Sequence, residues 1–78
     1  MIKKEERLVI TFYATADAMA MEEKCMGEQV EGRLIPVPGF ISAGCGLAWS
    51  MKPEGREEII AKMKKWDICP QEMHICKV

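Results

Sequence analysis

The chain has 78 residues, 49% hydrophobic and 29% charged, and its eleven basic and twelve acidic side chains leave a net charge of −1. That makes one small domain over residues 1–78, too short for a separate substrate domain and too apolar for a disordered segment. No basic stripe suits nucleic acid, no polybasic patch suits a membrane surface, and no run reaches the ~18 apolar residues of a spanning helix.

The first segment resembles a leader only superficially. Glu5 and Glu6 spoil a positive n-region, and Leu8-Val9-Ile10-Thr11-Phe12-Tyr13 is short and rich in strand formers. We read residues 8–13 as the first strand. Thr15 offers a helix N-cap and Asp17 an acid for the first turn. Ala14, Ala18, Met21 and Cys25 then recur at helical spacing and predict a core-facing stripe. Gly27 to Gln29 should end that helix.

Arg33-Leu34-Ile35 predicts a short second strand, closed by Pro36 and Pro38. Leu47-Ala48-Trp49-Ser50-Met51 alternates with strand period, Leu47, Trp49 and Met51 facing the core. Pro53 suits a helix start, and Ile59, Ile60, Met63 and Trp66 mark the second helix's apolar stripe. Glu58 and Lys62 are spaced for an i,i+4 ion pair. Residues 73–78 predict the last strand. The order β-α-β-β-α-β is that of an α+β, ferredoxin-like sandwich: a four-stranded antiparallel sheet with two helices on one face. Its open face is a candidate homodimer surface.

A hairpin between the second and third strands needs two to five residues, roughly. Here the connection runs from Pro36 to about Gly46, and long loops in small domains are often functional. It carries Ser42-Ala43-Gly44-Cys45-Gly46. Gly44 and Gly46 permit positive φ and close backbone approach. Backbone N–H groups in such a turn can form an anion-binding concavity, which favours the nucleophilic thiolate. Ser42 could add a hydroxyl donor. Cys45 is therefore the candidate reactive group, supported by Ser42, Gly44 and Gly46.

The remaining cysteines are Cys25, Cys69 and Cys76. With enough aliphatic residues for a core, the chain reads as a cytoplasmic protein with reduced thiols rather than a disulfide scaffold. Cys69-Pro70 lacks the second proline of a Cys-Pro-x-Pro carrier motif, so Cys69 reads as a loop or core residue. Cys69, His74 and Cys76 are soft donors without zinc-type pair spacing, and no metal or other cofactor is expected. The seven methionines read as core filling, and Trp49 and Trp66 as core anchors.

Arg33-Leu34-Ile35-Pro36-Val37-Pro38, followed by Ile41-Ser42-Ala43-Gly44-Cys45-Gly46-Leu47-Ala48, resembles the selenium/sulfur (Se/S) carrier protein-like family. The family pattern reads R-L-I-P-T-P-R-x-I-S-S-S-C-G-L-A-L, and the likeness extends through the first strand and Thr15-Ala16-Asp17-Ala18. Gly39 stands where that pattern has a basic residue, and Ala43 and Gly44 replace two serines. The resemblance implies a carrier rather than a turnover enzyme. Cys45 would hold sulfur or selenium as a persulfide or selenenylsulfide, taken from a protein donor such as a cysteine desulfurase and passed to a protein acceptor. Two other readings stay open: a non-catalytic module docking on a partner enzyme by its sheet face, and a redox sensor in which Cys69 or Cys76 resolves Cys45.

Overall fold

A computed structural model describes residues 5–39, 41 and 46–77. The elements are β1 (Glu6–Thr11), α1 (Thr15–Gly27), β2 (Arg33–Pro36), β3 (Leu47–Met51), a 3-10 turn at Pro53–Gly55, α2 (Arg56–Trp66) and β4 (Glu72–Lys77). The strands form one antiparallel sheet in the order β2-β3-β1-β4. Both helices pack on one face, and the fold is ferredoxin-like, as the element order predicts.

β1 is central, which explains its unbroken apolar run: Leu8 and Ile10 join the helix-side core, and Val9 is buried on the opposite face. It begins and ends two residues earlier than residues 8–13. At its start, Glu6 and Arg7 are recruited by Lys77 and Cys76 of β4. At its end, the Gln71 N–H donates to the Thr11 carbonyl at 2.7 Å, and the Glu72 N–H donates to Thr11 Oγ1 at 3.1 Å. These bonds close the ladder at Thr11. Phe12 then turns into the core, whereas Tyr13 is 68% exposed.

Thr15 does not cap α1. It is the first helical residue, and Ala14 occupies the extended cap position (φ −134°, ψ 148°) without a side-chain bond. The Ala14 carbonyl accepts from the Asp17 and Ala18 N–H groups. Ala14 is exposed rather than part of the stripe, while Ala18, Met21 and Cys25 are fully buried.

Both helices end in the same way. The Val30 N–H reaches the Cys25 carbonyl at 2.8 Å and the Gln29 N–H the Met26 carbonyl at 3.3 Å, with Gln29 at φ 57°. In α2, the Ile68 and Asp67 N–H groups bond the Met63 and Lys64 carbonyls, with Asp67 at φ 60°. These are Schellman closures whose left-handed residue is Gln or Asp rather than Gly. Gly27 is the last helical residue and Gln29 the left-handed one, within the Gly27 to Gln29 stretch expected to end the helix.

β3 faces as predicted, with Trp49 1% exposed on the helix side. Met21, Met51 and Met63 fill the core, but Met19 and Met26 are 61% and 71% exposed, so core filling does not account for them. Lys62 turns to Glu28 at 2.9 Å instead of forming the expected pair with Glu58. Trp66 Nε1 donates to the same carboxylate at 2.8 Å. The end of α1 is thereby tied to α2, and these two donors, Lys62 first, hold the Glu28 carboxyl below its ordinary range.

Candidate functional site

The loop between β2 and β3 is fastened at two points. At its base the Val37 N–H donates to the Gly46 carbonyl at 3.0 Å, continuing the pairing of Pro36 with Leu47. Further along, the Ile41 N–H donates to the Pro38 carbonyl at 2.9 Å, which closes a turn. That turn lays Ile41 on the side of the sheet away from the helices. There Ile41 is 9% exposed, against fully buried Val9 and Ala48, with Ile35, Val37 and Cys76 around them. The outer face of the sheet is thus partly covered by its own loop.

Gly46 is at φ 78°, a left-handed conformation that a side chain at this position would strain. It is exposed. Ser42, Gly44 and Cys45 lie outside the described residues. Gly39 is exposed, with nothing within 4 Å of where its Cβ would stand. The position where the family pattern carries a basic residue therefore has open space.

Three elements meet at this end of the sheet. Thr11 pairs with Ala48 on one side and with Glu72 on the other. Gly46 precedes Ala48 closely, and the loop leading to Glu72 carries exposed Cys69. The N-terminus of α1 follows directly from Thr11. Sequence reasoning left Cys69 as either a loop or a core residue, and the structure puts it in the exposed α2–β4 loop.

The other two thiols are held toward their protonated form. Burial, reinforced by the Glu28 carboxylate, pushes Cys25 up to about 11. Burial also raises Cys76, half-covered on the outer face. A thiol must ionise to attack, so burial slows both relative to an ordinary exposed cysteine. His74 shares the outer face with Cys76 and bonds Glu72 at 2.8 Å. Among the described residues no three His, Cys, Asp or Glu side chains are grouped to hold a metal ion, and no helix is long and apolar enough to cross a membrane.

Sequence reasoning missed the two fasteners, Val37 and Ile41. The available signal was Ile41 itself, an aliphatic residue placed between prolines and glycines in a loop with no helical or strand period to claim it.

The family described as "Putative Se/S carrier protein-like" matches residues 7–75, a span that includes the whole loop and Cys45. No curated protein and no solved structure matches the chain.

Proposed function

This chain belongs to the Se/S carrier protein-like family, and from that membership we propose that it carries sulfur or selenium on Cys45 between partner proteins. The observation that carries the reading is the family match across the loop that bears Cys45. Three features of the molecule support it. Gly46 keeps the left-handed turn beside the cysteine, and the Val37–Gly46 bond fixes that turn to the sheet. Cys25 and Cys76, with their raised pKa values, are unsuited to compete as acceptors.

The chemistry is thiol–persulfide exchange. The Cys45 thiolate attacks the outer sulfur of a donor persulfide. A new S–S bond forms to Cys45, the donor S–S bond breaks, and the donor cysteine leaves as a thiolate. A selenium atom transfers in the same way and leaves a selenenylsulfide. The acceptor thiolate repeats the attack and regenerates free Cys45. No redox equivalent is consumed and no resident cofactor is needed, which suits a small cytoplasmic shuttle that docks successively on a cysteine desulfurase and an acceptor.

Incubation with a cysteine desulfurase and free cysteine should add one sulfur atom to the intact mass. Reducing agent should remove it, and Cys45→Ala should prevent it. The reading fails if a competent donor loads nothing, or if the label maps to Cys25, Cys69 or Cys76 instead. Absence of loading together with retained binding to a partner enzyme would favour the non-catalytic docking module.

A further inference from the structure

The two edges of the sheet are finished differently. β2 has four residues and ends at Pro36, which has no N–H to offer another strand. β4 runs six residues, Glu72–Lys77, without proline or glycine. It pairs with β1 over its whole length, and among the described residues no strand lies on its far side. Such an edge is a template for another strand unless it is blunted by a bulge, a proline or a central charge. Within β4 the charged residues are at the ends, Glu72 and Lys77, and the middle is Met73-His74-Ile75-Cys76. Ile75 sits opposite fully buried Leu8 on the helix-side face, yet is 50% exposed.

We propose that the free edge of β4 pairs antiparallel with β4 of a second copy of this chain, joining two four-stranded sheets into one across a two-fold axis. Pleat and symmetry restrict the register. Opposed residues in such a pair lie on the same face of the sheet, so two residues may face each other only if they are an even number of positions apart. A register centred on His74 satisfies this and uses the strand best. It sets Met73 against Ile75 of the second copy, twice by symmetry, on the helix side. It sets Glu72 against Cys76 on the outer side, and Gln71 against Lys77 at the wet ends. The two His74 rings meet at the axis, each already bonded to its own Glu72 at 2.8 Å. The alternative centred on Ile75 places Met73 against Lys77 and loses both pairs of Met73 with Ile75.

An edge-to-edge contact covers little surface, so the dimer forms at high protein concentration and dissociates on dilution. β4 and β2 are opposite edges of the sheet, so the joint leaves the β2 edge uncovered. This inference does not depend on what Cys45 carries.

Sedimentation equilibrium of the full chain tests it. The wild-type chain should show a monomer–dimer equilibrium. Ile75→Lys puts a charge at an already exposed position, and should shift the population to monomer with unchanged circular dichroism and melting temperature. In a chain with Cys45 and Cys69 replaced by serine, Glu72→Cys should crosslink to Cys76 of the second copy on mild oxidation and double the mass. Within one chain residues 72 and 76 are about 13 Å apart along an extended strand, which a disulfide cannot bridge. A monomer at every concentration overturns the proposal, as does a dimer that Ile75→Lys leaves intact. A crosslink that maps to His74→Cys joined to Cys76 of the second copy, the pair opposed in the register centred on Ile75, with none from Glu72→Cys, overturns the register. Persulfide loading in the Ile75→Lys chain should equal wild type, so the carrier reading and the dimer fail or survive independently.

Discussion

On the helix side of the sheet, Leu8, Ile10, Phe12, Met21, Trp49, Ile59 and Met63 are each at most 2% exposed and lock β1 and β3 to both helices. On the other side, Val9, Ala48 and Ile41 form a buried cluster to which the β2–β3 loop contributes Ile41. The first core holds the fold and the second holds the loop against the fold. A lesion on the helix side should therefore unfold the domain. One on the outer side should disturb Cys45 more than it disturbs stability.

The largest effect is expected where the chain crosses the helix-side core. Gly32 is at φ 151°, and a Cβ there would stand 2.6 Å and 2.7 Å from the Trp49 ring and 2.8 Å from the Ser50 carbonyl oxygen. The ring is fully packed and the oxygen belongs to β3, so neither can give way cheaply. Gly32→Ala should cost about 3 kcal/mol through overpacking and backbone strain. Chemical denaturation would measure it. A loss under about 0.5 kcal/mol, the range of ordinary surface substitutions, would mean that this core is looser than its burial indicates.

Ile41→Ala tests the other side. Truncating a buried Ile costs about 2 kcal/mol at the low end of the usual range, and the small cluster around Ile41 should stay near that value. The sharper expectation concerns the loop. With its outer fastener gone, the alkylation rate of Cys45 should change several-fold while the unfolding transition stays cooperative, an order-of-magnitude expectation for a thiol whose surroundings set its ionisation. If the Cys45 rate is unchanged, Ile41 packs for stability alone and the contrast between the faces loses its functional half.

These two sites also show what was legible in the sequence. The strand period of Leu47–Met51 and the residue types of β1 reflect local preferences, so the element order could be read directly. The ends could not, because they depend on partners distant in sequence. Thr11 ends β1 because residues 71 and 72 bond it, and Lys62 abandons Glu58 because Glu28 arrives at the end of α1. The special position of Gly46 was readable, since a glycine next to a cysteine in a loop suggests positive φ. The docking of Ile41 was not, because nothing local says which face of which strand a loop residue will reach.

A smaller effect separates the inert thiol from the sheet. Cys25 is raised to about 11 from 9.0, chiefly by burial. The folded state therefore keeps its proton where the unfolded state has lost it. This contribution to stability is fully present below about pH 9 and is lost as pH rises through about 11. Melting temperature should fall across that window, and Cys25→Ala should flatten the fall while lowering the melting temperature at neutral pH. An equal slope in the variant would assign the alkaline loss to other groups.

The smallest effect on stability and the most informative on function is expected at Gly39. The site is exposed, has open space for a side chain and is not at positive φ, so Gly39→Arg should change stability by no more than about 0.5 kcal/mol. It restores the basic residue of the family pattern to the same loop as Cys45. A guanidinium near a thiol favours the thiolate, so the pH midpoint of Cys45 alkylation should move down and desulfurase loading should speed up. Salt should weaken both effects, because a charge acting across an exposed loop is screened. If Gly39→Arg instead speeds loading without moving the alkylation midpoint, the added charge acts on the docked donor rather than on the thiol. If neither quantity moves, position 39 plays no part in the transfer, and the loop's own backbone is left as the group that must activate Cys45.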